Sequence, residues 1–283
     1  MASFSWKNVL PRTKPDRLAV FAAVLELTLV PIFEVFVIMP PLFGLFTLSF
    51  WMHFLVGFYL WFNAVGNMIM VMGTEISSGK NILPSVLKTG WRYCPVCMLN
   101  APPRAHHCGD CNTCVLVRDH HCVFTGRCVG HNNMRYYLMM VVFLFCSAMY
   151  CNYLNIDYAW ELVGGLHWKG IITMFIPAVG WLFGYHSTMS FFSTVQCGIC
   201  LFGSLQFLFL LIFHVRLVAK GITTYEWRHS AARRYNRGWK ENLKAVFGSR
   251  WYLVWIAPFF PSPLLTDGIN FPEQNGTNNV KDM

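Results

Sequence analysis

The residues best suited to chemistry lie between positions 94 and 128, where seven of the eleven cysteines of this 283-residue chain are found. Cys94 and Cys97 form one C-x-x-C pair, and a C-x-x-C-x-x-C series begins at Cys108. This spacing allows the tight turn through which two thiolates reach one tetrahedral metal ion. The other members of the set are Cys111, Cys114, Cys122 and Cys128.

The number of ligands leaves one choice open. Two structural zinc sites need about eight ligands, and four histidines accompany the seven cysteines. Seven cysteines with one histidine would suffice, and so would six cysteines with two histidines, which leaves one thiol free. A thiol without metal beside histidine and aspartate could be an activated nucleophile, because the imidazole takes its proton. The histidines available are His106, His107, His120 and His121.

The composition indicates a membrane protein, since 55% of the residues are hydrophobic and only 12% are charged. Charged residues make up about a quarter of a typical soluble chain. Runs of about 20 apolar residues are long enough to cross a bilayer. The predicted spans are Leu18 to Met39, Phe43 to Met72, Tyr136 to about Ile156, and about Thr188 to Val215, and a tight turn at Pro40-Pro41 is expected between the first two.

Lysine and arginine predict the orientation of these spans. Four precede Leu18, seven lie in 74–135 and ten follow from Arg216 onward, so that only Lys169 of the 22 is left over. Positively charged residues near span ends stay in the cytosol, which places both termini and the 74–135 segment there. Segment 136–215 then crosses twice, with a lumenal part at about 157–187 in which 171–185 is an interfacial or re-entrant piece. On this topology Asn275 of the Asn-Gly-Thr sequon is unused.

The predicted organisation has six parts and no internal repeat. The loop 74–135 is rich in Gly, Pro, Cys and His, which favours a compact domain of short strands and turns. The net charge of +9 is attributed to orientation and lipid headgroups, not to nucleic acid. The parts are a cytosolic N-terminus (1–17), two spans (18–73), the cysteine-rich domain (74–135), two further spans (136–215), a basic and aromatic cytosolic arm (216–265) and a disordered tail (266–283).

The cysteine and histidine series from Cys94 to Cys128, continued by Asn133 and Tyr137, resembles the cysteine-rich domain of the DHHC protein S-acyltransferases. Two further stretches support the resemblance. Thr223-Thr224-Tyr225-Glu226 resembles the TTxE motif of this family, and Asn242 with Phe247-Gly248 resembles its C-terminal motif. The resemblance implies an all-α integral membrane protein with four transmembrane helices and a cytosolic, zinc-stapled domain between the second and the third.

The resemblance also implies a role for each residue of the series. Asp119, His120 and Cys122 form the catalytic trio, Thr224 contacts Asp119, and Asn242 braces the backbone near the site. Two structural zinc ions are expected, the first held by Cys94, Cys97, His107 and Cys114, and the second by Cys108, Cys111, His121 and Cys128.

Three positions depart from the pattern of the family. Val123-Phe124 stand where Pro-Trp is usual, and Arg127 stands where Asn is usual. The zinc ligands and the trio are intact, so the expectation of an active enzyme remains. Altered rate or substrate preference is left open.

The implied function is transfer of a long-chain acyl group, palmitoyl above all, from acyl-CoA through a Cys122 thioester to protein cysteines at the cytosolic membrane surface. Membrane lipids are the further partners, and the endoplasmic reticulum or Golgi is the expected location. The alternative is a zinc-stapled adaptor with little or no turnover. A metal transporter is a weaker alternative, because His53 and His214, the histidines within the spans, look isolated in the sequence.

Overall fold

The computed structural model describes residues 3–77, 86–163, 176–184, 187–229 and 235–270. It divides into two compact units. The first unit consists of Met1–Val20, Ile69–Tyr137 and Phe213–Met283, and the second consists of Phe21–Met68 and Leu138–Ile212.

Four of the described helices are long and apolar enough to cross a membrane, which confirms the predicted number. The α-helices of the described residues are α1 (Lys14–Phe33), α2 (Met39–Phe43), α3 (Leu48–Gly73), α4 (Met134–Val163), α5 (Pro177–Leu182), α6 (Thr188–Ala219), α7 (Thr224–Arg228) and α8 (Trp239–Phe247).

The first span corrects the predicted turn at Pro40-Pro41. A π-helical segment, Glu34–Ile38, joins α1 to α2, so that one continuous helix runs from Lys14 to Phe43. The two prolines lie in α2, directly after the π-helical segment, and the helix continues through both of them. The chain leaves the helix at Gly44, whose φ of 73° ends it.

Two polar contacts between span residues lie in the second unit. Asn155 donates to Glu34 at 2.8 Å, and His53 lies 2.6 Å from the Tyr150 hydroxyl. These contacts satisfy polar groups that would otherwise be buried without partners. Residues 164–175 and 185–186 of the predicted lumenal segment lie outside the described residues. Its described part begins with the end of α4, which runs to Val163, and includes the short α5.

The cysteine-rich part of the first unit consists of three antiparallel hairpins, so the all-α class holds for the spans only. Each strand has three residues, as the prediction of short strands and turns required. The hairpins are β1–β2, β3–β4 and β5–β6, with strands at Arg92–Cys94, Leu99–Ala101, His106–Cys108, Thr113–Val115, His120–Cys122 and Arg127–Val129.

The three hairpins repeat every 14 residues, a periodicity that the sequence prediction missed. Their first strands begin at Arg92, His106 and His120, and each pairs with its second strand in the same register. The same turn position has positive φ in each hairpin, at Met98 (51°), Asn112 (47°) and Gly126 (58°). A residue in this left-handed conformation is typical of tight hairpin loops. The repeat is therefore structural and does not depend on glycine.

The C-terminal part of the first unit contains α7, α8 and an ordered end. Thr223 and Glu226 form a reciprocal capping box at the start of α7, the arrangement that satisfies two orphan N–H groups of a helix. The carbonyl of Thr266 lies 2.9 Å from His131 Nε2. Residues 266–270 are thus part of the fold, contrary to the predicted tail, while 271–283 and the sequon at Asn275 lie outside the described residues.

Candidate active site and metal centres

Two groups of thiols and imidazoles in the hairpins could each hold a metal ion. In each group the donor atoms all lie within 4.8 Å of one another. Three sulfurs and one imidazole nitrogen form a donor set that Zn²⁺ binds tetrahedrally. The first group is Cys94, Cys97, His107 and Cys114, and the second is Cys108, Cys111, His121 and Cys128, the same sets that the resemblance implied.

The groups follow one rule of construction. Each combines the C-x-x-C pair of one hairpin with a histidine and a cysteine that face each other across the strands of the next hairpin. His107 pairs with Cys114 in the second hairpin, and His121 pairs with Cys128 in the third. Together the two groups offer six cysteines and two histidines as possible ligands.

Cys122 is the hairpin cysteine that belongs to neither of these two metal groups. It holds the place that Cys94 and Cys108 hold in the earlier hairpins. Thr125 stands where those hairpins have their second cysteine. After the third hairpin the chain continues into α4, so no further cross-strand pair completes a third site there.

His121 turns its two nitrogens to different partners. Nδ1 lies 3.4 Å from the sulfur of Cys111 and 3.7 Å from that of Cys108. Nε2 lies 3.1 Å from Oδ1 of Asp16, near the start of α1. A carboxylate on the outer nitrogen fixes the orientation and tautomer of a ligating histidine. Asp16, which sequence reasoning did not identify, therefore supports the second metal group.

His120, the neighbour of His121, belongs to a different set. Side chains alternate faces along a strand, which separates it from the metal groups. Its Nδ1 donates to Oδ2 of Asp119 at 2.7 Å, and its ring also hydrogen-bonds the Cys122 sulfur. Cys122 is only 8% exposed. A thiol, an imidazole and a carboxylate in this order are the groups that could act as a nucleophile, a base and a carboxylate that orients the base.

The electrostatics of this trio favour a thiolate and an imidazolium. Burial disfavours the charge on His120, but the hydrogen bonds to Asp119 and Cys122 outweigh it and raise the pKa of His120 to about 9. Burial likewise opposes ionisation of Cys122, yet the hydrogen bonds from His120 and Thr125 lower the pKa of the thiol. The pKa of Asp119 is also lowered, because its hydrogen bond with His120 outweighs burial. An activated thiolate is the reactive form of cysteine.

Thr224 holds the carboxylate of Asp119. Its N–H donates to Oδ1 at 2.8 Å and its hydroxyl donates to Oδ2 at 2.7 Å. The N-cap geometry of α7 places Thr224, and Glu226 of the same capping box accepts from Arg104 at 2.6 and 2.7 Å. The TTYE segment therefore fixes the orienting carboxylate from a helix start that is itself anchored by a buried ion pair.

Asn242 braces backbone at a greater distance from the trio. Its amide donates to the carbonyl of Ala219 at 2.9 Å and to Oδ1 of Asn236 at 2.8 Å. Its own Oδ1 accepts from the N–H of Arg237 at 3.1 Å. These bonds connect the end of α6 to the segment that leads into α8.

Sequence reasoning also missed His214, which it described as isolated in a span. The ring nitrogen Nδ1 of His214 lies 3.8 Å from Oδ2 of Asp119, and Nε2 lies 3.1 Å from the Tyr137 hydroxyl. The one available signal was its position, since His214 precedes the TTYE segment by two to three helical turns. That spacing could not reveal the contact without the fold.

The departures from the family pattern differ in exposure. Val123 and Phe124 are 43% and 53% exposed, whereas Arg127 is only 5% exposed. Arg127 pairs with Cys122 across the strands of the third hairpin. The aromatic side chain of Phe124 is thus available at the surface beside the nucleophile.

Residues 87–231 match the family model of the DHHC palmitoyltransferases. The chain is 35% identical over 220 residues to the probable palmitoyltransferase ZDHHC24 of Rattus norvegicus, with 75% of each chain covered. It is 36% identical to the Danio rerio protein of the same name, over 78% of this chain and 75% of that one. It is also 30% identical to the palmitoyltransferase ZDHHC22 of Danio rerio, over 73% and 75% respectively.

Proposed function

The chain belongs to the DHHC palmitoyltransferase family, and we propose that this multi-pass membrane protein S-palmitoyltransferase works through a Cys122 thioester formed from a long-chain acyl-CoA. One observation carries the proposal. Cys122 is the hairpin cysteine that neither metal group uses, and it is hydrogen-bonded to the His120–Asp119 pair.

In the first step the Cys122 thiolate attacks the carbonyl carbon of the acyl-CoA thioester. A new sulfur–carbon bond forms, the bond to the CoA sulfur breaks, and the proton held on His120 passes to the leaving CoA thiolate. Asp119 keeps the imidazole oriented and stabilises its positive charge. The products are an acyl-enzyme and free CoA.

In the second step a cysteine of a protein substrate takes the acyl group. His120 accepts the proton of the incoming thiol, the thiolate attacks the acyl-enzyme, and Cys122 leaves as a thiolate. The dyad returns to its starting charge state. Covalent catalysis of this kind divides one acyl transfer into two easier steps.

The two metal groups would hold structural zinc. Each supplies four protein donors, whereas a catalytic zinc site keeps a position open for water or substrate. Zinc would thus cross-link the hairpins, whose strands are only three residues long. Small domains of this kind commonly depend on metal for their stability.

We place the hairpins and both termini in the cytosol, and the protein in the endoplasmic reticulum or Golgi. The distribution of lysine and arginine supports the orientation. Substrates would then be proteins with cysteines close to the cytosolic membrane surface, and the acyl chain would stay in the apolar phase.

Labelled palmitoyl-CoA added to the purified protein tests the proposal. Wild type should acquire a label that hydroxylamine removes, and Cys122→Ser should acquire none. Cys146→Ser is the matched control, because Cys146 is a partly buried thiol within a span, and it should label as wild type does. A hydroxylamine-labile label of unchanged amount on Cys122→Ser would overturn the assignment of the nucleophile.

The same experiment addresses the inactive adaptor considered from the sequence. The comparisons with known proteins lend that alternative no support. An adaptor would bind acyl-CoA without releasing CoA, so wild-type protein that releases no CoA would favour it.

A further inference from the structure

His214 is a buried imidazole that the two chemical steps described above do not use. It lies near the end of α6 and is 3% exposed. Its Nε2 is 3.1 Å from the hydroxyl of Tyr137. We assign the proton of the neutral imidazole to Nδ1, because this nitrogen faces the carboxylate of Asp119, which can only accept. Nε2 then accepts from the Tyr137 hydroxyl.

The protonated nitrogen faces the carboxylate of the trio. Nδ1 lies 3.8 Å from Oδ2 of Asp119, which exceeds a hydrogen-bond distance, and it has no hydrogen-bond partner among the described residues. The positive end of the N–H dipole is thus directed at a buried anion. In a site of low dielectric such a contact stabilises the charged carboxylate.

The rings of His214, Tyr137 and His120 also pack together. Tyr137 meets His120 edge to face at 4.9 Å and meets His214 in the same way at 4.9 Å. The rings of His120 and His214 are 5.4 Å apart. His120 therefore has Asp119 on one nitrogen and Tyr137 against its ring, and His214 contacts both of these neighbours.

We propose that His214 is a positioning residue of the acyl-transfer site, which holds Tyr137 against the ring of His120 and directs its Nδ1 at the carboxylate of Asp119. The inference rests on the proposed function, because it matters only if His120 and Cys122 react. His214 itself exchanges no proton in either step. It acts through the residues that orient the base.

The chain offers a matched control for a histidine–tyrosine pair in a span. His53 lies 2.6 Å from the Tyr150 hydroxyl, in the second unit and outside the trio. Removal of His53 therefore disturbs a similar hydrogen bond without touching Asp119 or Tyr137. A generic effect of losing a span histidine would affect both variants alike.

The test measures single-turnover thioester formation from palmitoyl-CoA for His214→Ala and His53→Ala, with zinc content as the check on folding. His214→Ala should lower the maximal rate about 10- to 100-fold, the usual cost of a misplaced catalytic group. The concentration of palmitoyl-CoA that gives half the maximal rate should not change, and zinc should remain at the wild-type level. His53→Ala should stay within about 2-fold of wild type.

Two conservative variants separate the two contacts. His214→Gln offers a carbonyl oxygen in place of Nε2 and should restore the support of Tyr137. His214→Asn offers an amide N–H in place of Nδ1 and should restore the dipole toward Asp119. Each should recover part of the lost rate, and Tyr137→Phe should add little to His214→Ala because the two share one contact.

A failure of this inference can be distinguished from a failure of the proposed function. If wild type forms a thioester and His214→Ala forms it as fast as His53→Ala does, the inference is wrong and the proposed function stands. Loss of zinc from His214→Ala, without rescue by either conservative variant, would show a structural role only and would also overturn it. If wild type forms no thioester, the proposed function fails first and this inference fails with it.

Discussion

The second and third hairpins contain the same tripeptide, His-His-Cys, in the same strand register. His106 pairs with Val115 as His120 pairs with Val129. In both hairpins the middle histidine faces a cysteine across the strands and joins a metal group. The backbone therefore presents identical side chains in identical places, and any difference in their chemistry must come from their neighbours.

The first histidine of each tripeptide has the opposite electrostatic environment. His106 follows an alanine and lies 2.8 Å from Arg92, and burial together with that positive charge lowers its pKa to about 3. His120 follows Asp119, whose carboxylate overcomes the effect of burial and raises the pKa of His120 to about 9. The neighbours of each imidazole, Arg92 for His106 and Asp119 with Cys122 for His120, thus decide whether it can be held as a cation.

The cysteine of each tripeptide differs in the residue three positions later and in the element that comes after its hairpin. Cys108 has Cys111 three residues later and the cross-strand pair of the third hairpin beyond it. Cys122 has Thr125, and then α4 in place of a fourth hairpin. In both cases a hydrogen bond from the backbone at the third residue lowers the pKa of the thiol. A metal-binding turn without its other ligands thereby becomes a site for a stabilised thiolate.

Substitution of the two equivalent cysteines should give the largest contrast. Cys122→Ser should keep both zinc ions and the fold and should lower thioester formation by at least about 10³-fold, because the nucleophile is lost. Cys108→Ser should lose zinc from the second group and loosen the hairpins. Zinc content by elemental analysis and limited proteolysis measure both effects. Loss of one zinc ion from Cys122→Ser would break the distinction between the two cysteines.

Asp119→Asn should make His120 resemble His106 in its protonation. The hydrogen bond to the carboxylate is what raises the pKa of His120, so the imidazolium should be lost at lower pH in the variant. The alkaline limb of the rate profile, expected near the pKa of about 9, should move down toward the ordinary value of about 6.5. At neutral pH thioester formation should fall about 10²- to 10⁴-fold.

As a control, the contacts of Thr224 should be kept in Asp119→Asn. Asparagine keeps an oxygen acceptor for Thr224 and an amide near His120, so zinc content and proteolytic resistance should match wild type. CoA release measured in a single turnover between about pH 6 and pH 10 gives the profile. A lower rate without any movement of the alkaline limb would contradict the assigned cause of the raised pKa.

Much of the site was predictable because its signals are local. Cysteine spacing indicated the metal groups, and the family resemblance divided the ligands from the trio. The choice of six cysteines over seven was not accessible from spacing alone, since it depends on the cross-strand pairing of His121 with Cys128. The 14-residue repeat was missed for a related reason. The repeat is visible in the strand register and in the positive φ values of three turn residues of different types.

The contacts that no local pattern reveals connect residues far apart in sequence. Asp16 reaches His121 across 105 positions, and the same distance in sequence separates Asp119 from Thr224. The resemblance supplied the second contact but not the first. The continuous first span was also mispredicted, because Pro40-Pro41 is typical of a turn, whereas the helix here continues from the π segment through both prolines.

Thr125→Cys should make the third hairpin resemble the second in its ability to bind a metal ion. It restores the C-x-x-C spacing at Cys122, and together with His120 it offers three donors to a metal ion. We expect added zinc to slow thioester formation about 10-fold or more, because a metal-bound thiolate is a poorer nucleophile. A chelator too weak to strip the two four-ligand groups should restore the rate.

Thr125→Val is the matched variant for this experiment. It keeps the shape of the side chain but removes the hydroxyl that helps to lower the pKa of Cys122. Thioester formation by Thr125→Val should slow by less than that of Thr125→Cys with added zinc, and it should not respond to zinc. An equal response of both variants to zinc would show that the metal acts elsewhere.

Asp16→Asn should have the smallest effect on the reaction and should sharpen the contrast between His121 and His120. Both imidazoles bind a carboxylate, but Asp16 holds the nitrogen that faces away from the sulfurs, whereas Asp119 orients a base. Loss of an outer carboxylate typically weakens metal affinity about 10- to 100-fold. Zinc release to a chromogenic chelator should therefore accelerate by that factor, while thioester formation with zinc in excess should stay within about 2-fold of wild type.

Asp110→Asn is the control for Asp16→Asn, because it also removes one carboxylate from the hairpin region, in the turn between Cys108 and Cys111. Zinc release from this variant should match wild type. A carboxylate that acts through a metal ligand changes how long the metal stays, whereas a carboxylate that acts through a base changes how fast the thiol reacts. If Asp16→Asn slowed thioester formation at full zinc occupancy, the distinction between the roles of Asp16 and Asp119 would be wrong.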